Sequence, residues 1–578
     1  MSESVQLHRL SVRCNRVIPR CDRCITHDAR CVYPERAKRK PQRPPSDHPT
    51  SHPAGDDATV PALNTILDRL HRLEQQSLVS PPYSARDVHP TAFRSSASGS
   101  PALVTPYPGG AITELSPVSV SPHGGTGLEP SEVDSAATLK HAIDQVQKLK
   151  LEGYARSVIT EKVEIPKELA KELIENYFTH MATDMFLSLV NRRLIELIPD
   201  ILGLPHVHLD FSIQVLYYAI LFHGATLNVS NTSQTRGLDY SKACYLGCLR
   251  ALPGWKREAT GSATDFVAAI SMTRVAAECF DYDLAWKMHQ LASEFARALN
   301  LHNLDGGEYA GINDCGRSDD DRRGFWQLIQ VDLYIRLLMD KPPLITNDTW
   351  NVNLPWLDSS QAQPEGFQAI AFLISSRITM ILMRFFALLD DTTRRSKSDL
   401  RRETEGMCQE IEQLYHDWQA HDFSTLTSDK EEDTWVVADC LITGYTCIIF
   451  MLRKIDVLGT DSPTIVGKDS DLPTHPLVIV AARHIIRLAN HILATYSNPE
   501  TMSAVLGAYG AYIPAACLYH EVLHAEDVRV YTQDIESLEH FSSLVCSISR
   551  GRRELYPFVR AMNTLDADVK KKCAEAKA

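Results

Sequence analysis

Two groups of residues in this chain have the types and spacing to do chemistry. The first is Cys14, Cys21, Cys24 and Cys31, in the pattern C-x6-C-x2-C-x6-C. Thiolates joined by loops this short can converge on one ion, and zinc is the metal that such a set suits. Beside them, after Tyr33-Pro34, runs Arg36-Ala37-Lys38-Arg39-Lys40, which suits a polyanion. The second group is His520-Glu521-Val522-Leu523-His524, a literal H-E-x-x-H. On a helix His520 and His524 lie one turn apart on one face and can share zinc, with Glu521 as general base. A third ligand is then needed, and Glu536, Glu539 or His540 could offer it. The extended H-E-x-x-H-x-x-G-x-x-H signature fails, because Asp527 and Val530 stand at its Gly and last His. Polar residues near a helix surface are the favoured reading of this short motif. There is no G-x-x-x-x-G-K-[ST] phosphate loop, G-x-G-x-x-G turn or G-x-S-x-G elbow.

The elements that must carry these groups fall into zones. Of the net charge of −13, Met1–Pro44 holds 11 Lys and Arg against 4 Asp and Glu, a net of +7, which leaves −20 for the rest. A basic head on an acidic body places any polyanion at the head. Beside the cysteine set, Arg36–Arg43 reads as DNA-backbone contact plus nuclear import in preference to a solvated linker. From Pro45 to about Leu128 the chain turns to Pro, Ser, Gly and Thr, as in Ser116-Pro117-Val118-Ser119-Val120-Ser121-Pro122. Such a segment cannot bury enough apolar surface to offset its chain entropy, so disorder is expected. One island, Leu63, Ile66, Leu70 and Leu73, has a/d spacing within residues 60–78. It reads as a short dimerising coiled coil, or as a transient amphipathic helix, since two heptads are marginal alone.

From about Glu152 the apolar period is helical. Leu169, Leu173 and Tyr177 share a face, as do Ile213, Leu216 and Ile220, and Phe266, Ile270 and Ala277 continue the theme. Alternating strands are scarce, so the reading is a large all-α domain over roughly 151–570. Two stretches look superficially membrane-like, Trp435–Leu452 and Met502–Tyr519. The first contains Asp439, and the second is interrupted by Gly507, Gly510 and Pro514. Both are near the minimum spanning length and read as buried helices. Ten further cysteines (Cys244, Cys248, Cys279, Cys315, Cys408, Cys440, Cys447, Cys517, Cys546 and Cys573) form no paired C-x2-C and read mostly as reduced core residues. The N-terminus has no apolar signal region.

The head resembles the six-cysteine binuclear zinc cluster of fungal transcription regulators, C-x2-C-x6-C, a proline loop, then C-x2-C-x6-C. Cys14 matches the third cysteine, Pro19 the loop proline, and Cys21, Cys24 and Cys31 the last three. Ser4 and Leu7 stand where the first two cysteines belong. Six thiolates hold two zinc ions in the family; four can hold one, as a four-cysteine site or with help from His8. Three readings stay open: a cluster whose missing C-x2-C is encoded upstream, a degenerate cluster with weak or no zinc, and ordinary cysteines at chance spacing. The resemblance implies that basic residues before the third cysteine, here Arg9 and Arg13, contact CGG-like triplets. Arg16 and Arg20, with Lys38, Arg39 and Lys40, remain for phosphates. It also implies a homodimer paired through 63–73, reading two half-sites.

The body carries a second resemblance, to the middle homology domain that follows the cluster in many fungal regulators. One block is Ala285-Trp286-Lys287-Met288-His289-Gln290-Leu291-Ala292, continuing through Phe295-Ala296 to Leu299-Asn300-Leu301-His302. The other runs from Arg322-Arg323-Gly324-Phe325-Trp326 through Asp332 to Lys341-Pro342-Pro343, Asp348 and Val352-Asn353-Leu354-Pro355. Gln290 and Asn300 stand where Gly is usual, and Asp340-Lys341 replaces Gly-Arg. Arg322, Arg323, Trp326 and Asp332 read as helix packing and ion pairing rather than a ligand site.

The expectation is thus a mostly α chain in three parts: a partial zinc-cluster module over 1–44, a disordered linker with a short coiled coil over 45–150, and an all-α regulatory domain over 151–570. It is read as a nuclear, non-enzymatic, zinc-dependent DNA-binding regulator of RNA polymerase II transcription. A metabolic gene set, including secondary metabolism, is the resemblance's implication for its targets. No membrane partner is expected. Two alternatives stand: a partner of other regulators that does not bind DNA, and a zinc hydrolase built on 520–524.

Overall fold

The computed structural model describes residues 134–577, apart from 182–183, 203, 205, 228–239, 307–314, 347–348, 356–366, 392–394, 419–433, 459–467, 474 and 509. The chain separates into two units, Met1–Pro106 and Tyr107–Ala578, and the described residues all belong to the second. Every regular element among them is a helix.

The helices start where the local chemistry says they should. Asp134 caps α1 (Ser135–Thr160), accepting the Ala137 N–H at 2.8 Å. α1 runs through the 150/151 boundary expected between linker and helical domain, because Leu139, Ile143 and Val146 give it a fully buried stripe. The helices therefore begin soon after the Pro/Ser-rich stretch ends near Leu128. Next come α2 (Lys167–His180), α3 (Arg192–Ile201), α4 (Phe211–Thr226) and α5 (Tyr240–Glu258). α6 (Ala263–Glu278) opens on a capping box in which Ser262 and Asp265 satisfy each other's backbone. Asp281 caps α7 (Tyr282–Ala298).

α4 is buried nearly all round, and α2, α5 and α6 pack against it. Gly224 makes the α2 contact possible, since a Cβ there would fall 2.0 Å from the Leu173 carbonyl oxygen. Ala285, Ala292 and Ala296 give α7 a buried small-residue face, and α7 lies along α6. Asn300 and Asp340 both adopt left-handed backbone, with φ of 57° and 54°. Asn and Asp tolerate that conformation better than other side chains after Gly.

α8 (Cys315–Met339), α9 (Phe367–Asp390), α10 (Lys397–Asp417) and α11 (Thr434–Asp456) form a second layer, followed by α12 (Pro476–Thr495) and α13 (Pro499–Ser503), which runs into a π turn. α14 (Tyr512–His524), α15 (Thr532–Ile548) and α16 (Tyr556–Glu575) end the chain. α1 returns to pack on α14 and α16, so the first and last helices close on each other.

Among the described residues three segments, Ile370–Asp390, Val436–Asp456 and Pro476–Thr495, are long and apolar enough to cross a bilayer by length and composition, as is the bent pair Pro499–Ala508 with Tyr512–His524. Here they pack against other helices. The Val436–Asp456 stretch is 89% buried, and its Arg453 guanidinium donates to the Asp471 carbonyl inside the fold.

Candidate functional site

Of the residues singled out in the sequence, the cysteines Cys14, Cys21, Cys24 and Cys31, the basic residues Arg9, Arg13, Arg16, Arg20, Lys38, Arg39 and Lys40, and the seam Leu63, Ile66, Leu70 and Leu73 lie outside the described residues. The H-E-x-x-H lies within them. It forms the last turn of α14, and the rings of His520 and His524 lie with centroids 4.1 Å apart, tilted by 37° to each other.

The third group beside the histidines is Asp469, in a one-turn 3-10 helix before α12. Glu536, Glu539 and His540, the sequence candidates, do not join the trio. They sit on α15, where Glu539 pairs with Lys570 at 3.5 Å, and α15 meets α14 by its apolar side. Sequence spacing could not show Asp469, because it reaches the pair through the packing of α14 on the turn before α12.

Asp469 is held on the other side by the start of α1. Its Oδ1 accepts the Ala136 N–H at 2.6 Å and the Ser135 hydroxyl at 2.8 Å, and its Oδ2 accepts the Ser135 N–H at 3.0 Å. The Asp469 N–H in turn donates to Asp134 Oδ1 at 2.9 Å. A carboxylate at a helix N-terminus is favoured by the helix dipole and its orphan donors. Burial pushes the Asp469 pKa up, but His520 and these donors prevail and hold it at about 2. The same carboxylate raises the pKa of His520 against the effect of burial. His520 Nδ1 stands 3.1 Å from Asp469 Oδ2, an ion-pair contact. Glu521 is turned to Tyr531, whose hydroxyl donates to it at 3.3 Å.

The blocks of the second resemblance form an interior framework. His289 Nε2 and Asp332 Oδ1 meet at 2.9 Å with both side chains 1% exposed. Asp332 also accepts the N–H groups of Leu344 and Ile345. Arg322 makes a fork on Asp305 and reaches Asp319 at 2.8 Å, while the Asn353 N–H donates to Asp305. The Trp326 indole donates to the Asn353 carbonyl at 3.2 Å. These contacts tie α7, α8 and the 340–355 loop together, which is the packing and ion-pair role expected of them.

Sequence reading missed a buried polar group at the junction of α2, α4 and α6. Tyr177 donates to Asp184 at 2.7 Å, and Arg274 pairs with the same carboxylate. His223 Nδ1 faces Glu278 Oε1 at 3.6 Å. Burial drives His223 down to about 3 and Glu278 up to about 7, with Arg274 lowering both. The only sequence signal was a lone His and a lone Glu closing otherwise apolar helices.

Comparison with known proteins bears on the head. Residues 8–40 match the model of the fungal Zn(2)-Cys(6) binuclear cluster domain. Domains of this family bind zinc and mark fungal DNA-binding transcription regulators. The match covers the head and leaves the helical body unassigned. No curated protein and no solved structure matches the chain. Within the matched stretch there are four cysteines, Cys14, Cys21, Cys24 and Cys31, so this donor set fits one tetrahedral zinc and falls short of the two-zinc cluster in the family's name.

Proposed function

We propose that this protein is a nuclear, zinc-dependent, sequence-specific regulator of RNA polymerase II transcription whose head binds DNA and whose helical body regulates it. The observation that carries the reading is the zinc-cluster match at 8–40, spanning Cys14, Cys21, Cys24, Cys31 and the basic run that ends at Lys40. One zinc bound by the four thiolates gives the head its fold. Arg9 and Arg13 reach base edges, and Arg16, Arg20, Lys38, Arg39 and Lys40 contact phosphates. Leu63, Ile66, Leu70 and Leu73 pair two chains, so two CGG-like half-sites are read together. By the same resemblance the targets are a metabolic gene set, including secondary metabolism.

The buried His289–Asp332 pair and the half-buried Arg322–Asp305 pair support a structural role for the resembling blocks of the body. Glu521, engaged with Tyr531, supports a reading without hydrolysis. The test is selection of bound sequences from a random DNA pool with the full-length protein. Recovery of a paired-triplet site is expected. Failure to retain any DNA favours the reading in which the chain acts as a partner of other regulators.

A further inference from the structure

We infer that Asp469, His520 and His524 form a binding site for a borderline divalent metal ion, zinc being the type, which clamps the end of α14 to the start of α1. The ligand atoms of the three residues lie within 4.8 Å of one another. Tetrahedral zinc with bonds of about 2.0–2.1 Å separates its ligands by about 3.4 Å, so modest ring rotation closes the set around an ion. The site rests on two independent observations: the one-turn spacing of the histidines in the sequence, and the packing that delivers a carboxylate from 51 positions before His520.

The outer contacts are those a metal site uses. His524 Nδ1 lies 2.8 Å from the His520 carbonyl. A carbonyl can only accept, so Nδ1 carries the proton and Nε2 the lone pair. A ring N–H donated to a backbone carbonyl is the usual way a ligating histidine is oriented. Asp469 is fixed likewise: both lone-pair directions of Oδ1 are used by Ala136 and Ser135, while Oδ2 takes the Ser135 N–H and faces His520. His520 Nδ1 stands 3.1 Å from that oxygen, close enough for one ion to take both atoms. Three protein ligands leave one position for water. Glu521, next to His520, is held by Tyr531, so the assignment is to a clamp and not to hydrolysis. What the clamp secures is the first turn of α1, the element by which the described body begins.

The test counts zinc on the full-length protein, stripped with a chelator, re-equilibrated with Zn2+ and desalted. Wild type is expected to hold one zinc per chain more than His524→Gln, while His540→Gln, outside the trio, matches wild type. Equal zinc in wild type and His524→Gln overturns the proposal. To guard against misfolding of that variant, a full-length chain with Cys14, Cys21, Cys24 and Cys31 replaced by Ser is titrated with Co2+. Visible d–d bands without thiolate charge transfer support the site, and their absence overturns it.

Discussion

On the proposed reading, the head and the body use cysteine in opposite ways. In the head sequence four cysteines stand at loop spacing among Arg13, Arg16, Arg20, Arg23 and Arg30, and positive charge next to a thiol favours the thiolate. In the body, Cys244, Cys248, Cys279, Cys408, Cys440, Cys447 and Cys517 are buried among apolar helices. Burial pushes the Cys440 and Cys517 thiols up to about 12, and raises Cys248, Cys408 and Cys447 as well. A thiol that cannot ionise is neither ligand nor nucleophile; it is a small apolar side chain with a weak donor. Only Cys546 and Cys573 of the described cysteines reach solvent. The environment, read from neighbours, decides what the residue does.

The largest effect should come from breaking that contrast directly. Cys24→Ala removes a proposed ligand from a module whose folding energy is metal-linked, on the order of 10–16 kcal/mol for structural zinc. Gel-shift affinity for the selected site is expected to fall by about 100-fold or more. Cys440→Ala should leave that affinity unchanged and lower the body's stability by about 1–2 kcal/mol. Equal losses in the two variants would remove the distinction.

Within the body, the strongest single test is the His289–Asp332 pair. Asp332→Ala strands a buried imidazole and the Leu344 and Ile345 N–H groups. Removing one partner of a buried pair costs about 3–5 kcal/mol, to be read from urea unfolding. A loss under about 1 kcal/mol would mean that the pair is not sealed from water.

A smaller and more specific effect is expected in the pH dependence of stability. The folded pKa of Glu278 is raised to about 7 from 4.5, so its contribution is present below about 4.5 and lost as pH rises through about 7. The folded pKa of His223 is depressed to about 3 from 6.5, so its contribution is present above about 6.5 and lost as pH falls toward 3. Between about pH 4.5 and 6.5 the two slopes oppose each other. Each amounts to about 1.4 kcal/mol per pH unit at most, with Asp184, Arg274 and Tyr177 facing the pair. Glu278→Gln removes one slope and should expose acid destabilisation beginning near pH 6.5 instead of 4.5, followed by thermal unfolding across pH. An unchanged profile would mean that the pair does not share its protons this way.

The helical body was legible in the sequence wherever a stripe of apolar residues repeated with helical period. Leu173 and Tyr177, or Phe266 and Ile270, are buried as their spacing implies. The start of α1 was not read from the sequence, because the helical period was followed only from about Glu152, and the stripe Leu139, Ile143 and Val146 lies before it. The histidine pair was legible and its carboxylate was not. Local motifs record one helical turn, whereas Asp469 arrives through the docking of separate elements. The His223–Glu278 junction was invisible for the same reason: its partners come from different helices.

The smallest effect tests the charge side of the comparison. If the head makes about four to six phosphate contacts, log K for DNA should fall against log salt with a slope of about −4 to −5. Replacing Lys38, Arg39 and Lys40 by Ala removes up to three of those contacts and should flatten the slope by about 2–3. Specific and nonspecific binding should weaken together, since phosphates carry no sequence information. Lys454 of the body is already paired with Asp340 at 2.7 Å, so Lys454→Ala should leave the slope where it was. Filter binding at several salt concentrations separates the cases. A slope that shifts equally for Lys454→Ala and for the head variant would place part of the DNA contact on the acidic body, against the +7 and −20 division of charge along the chain.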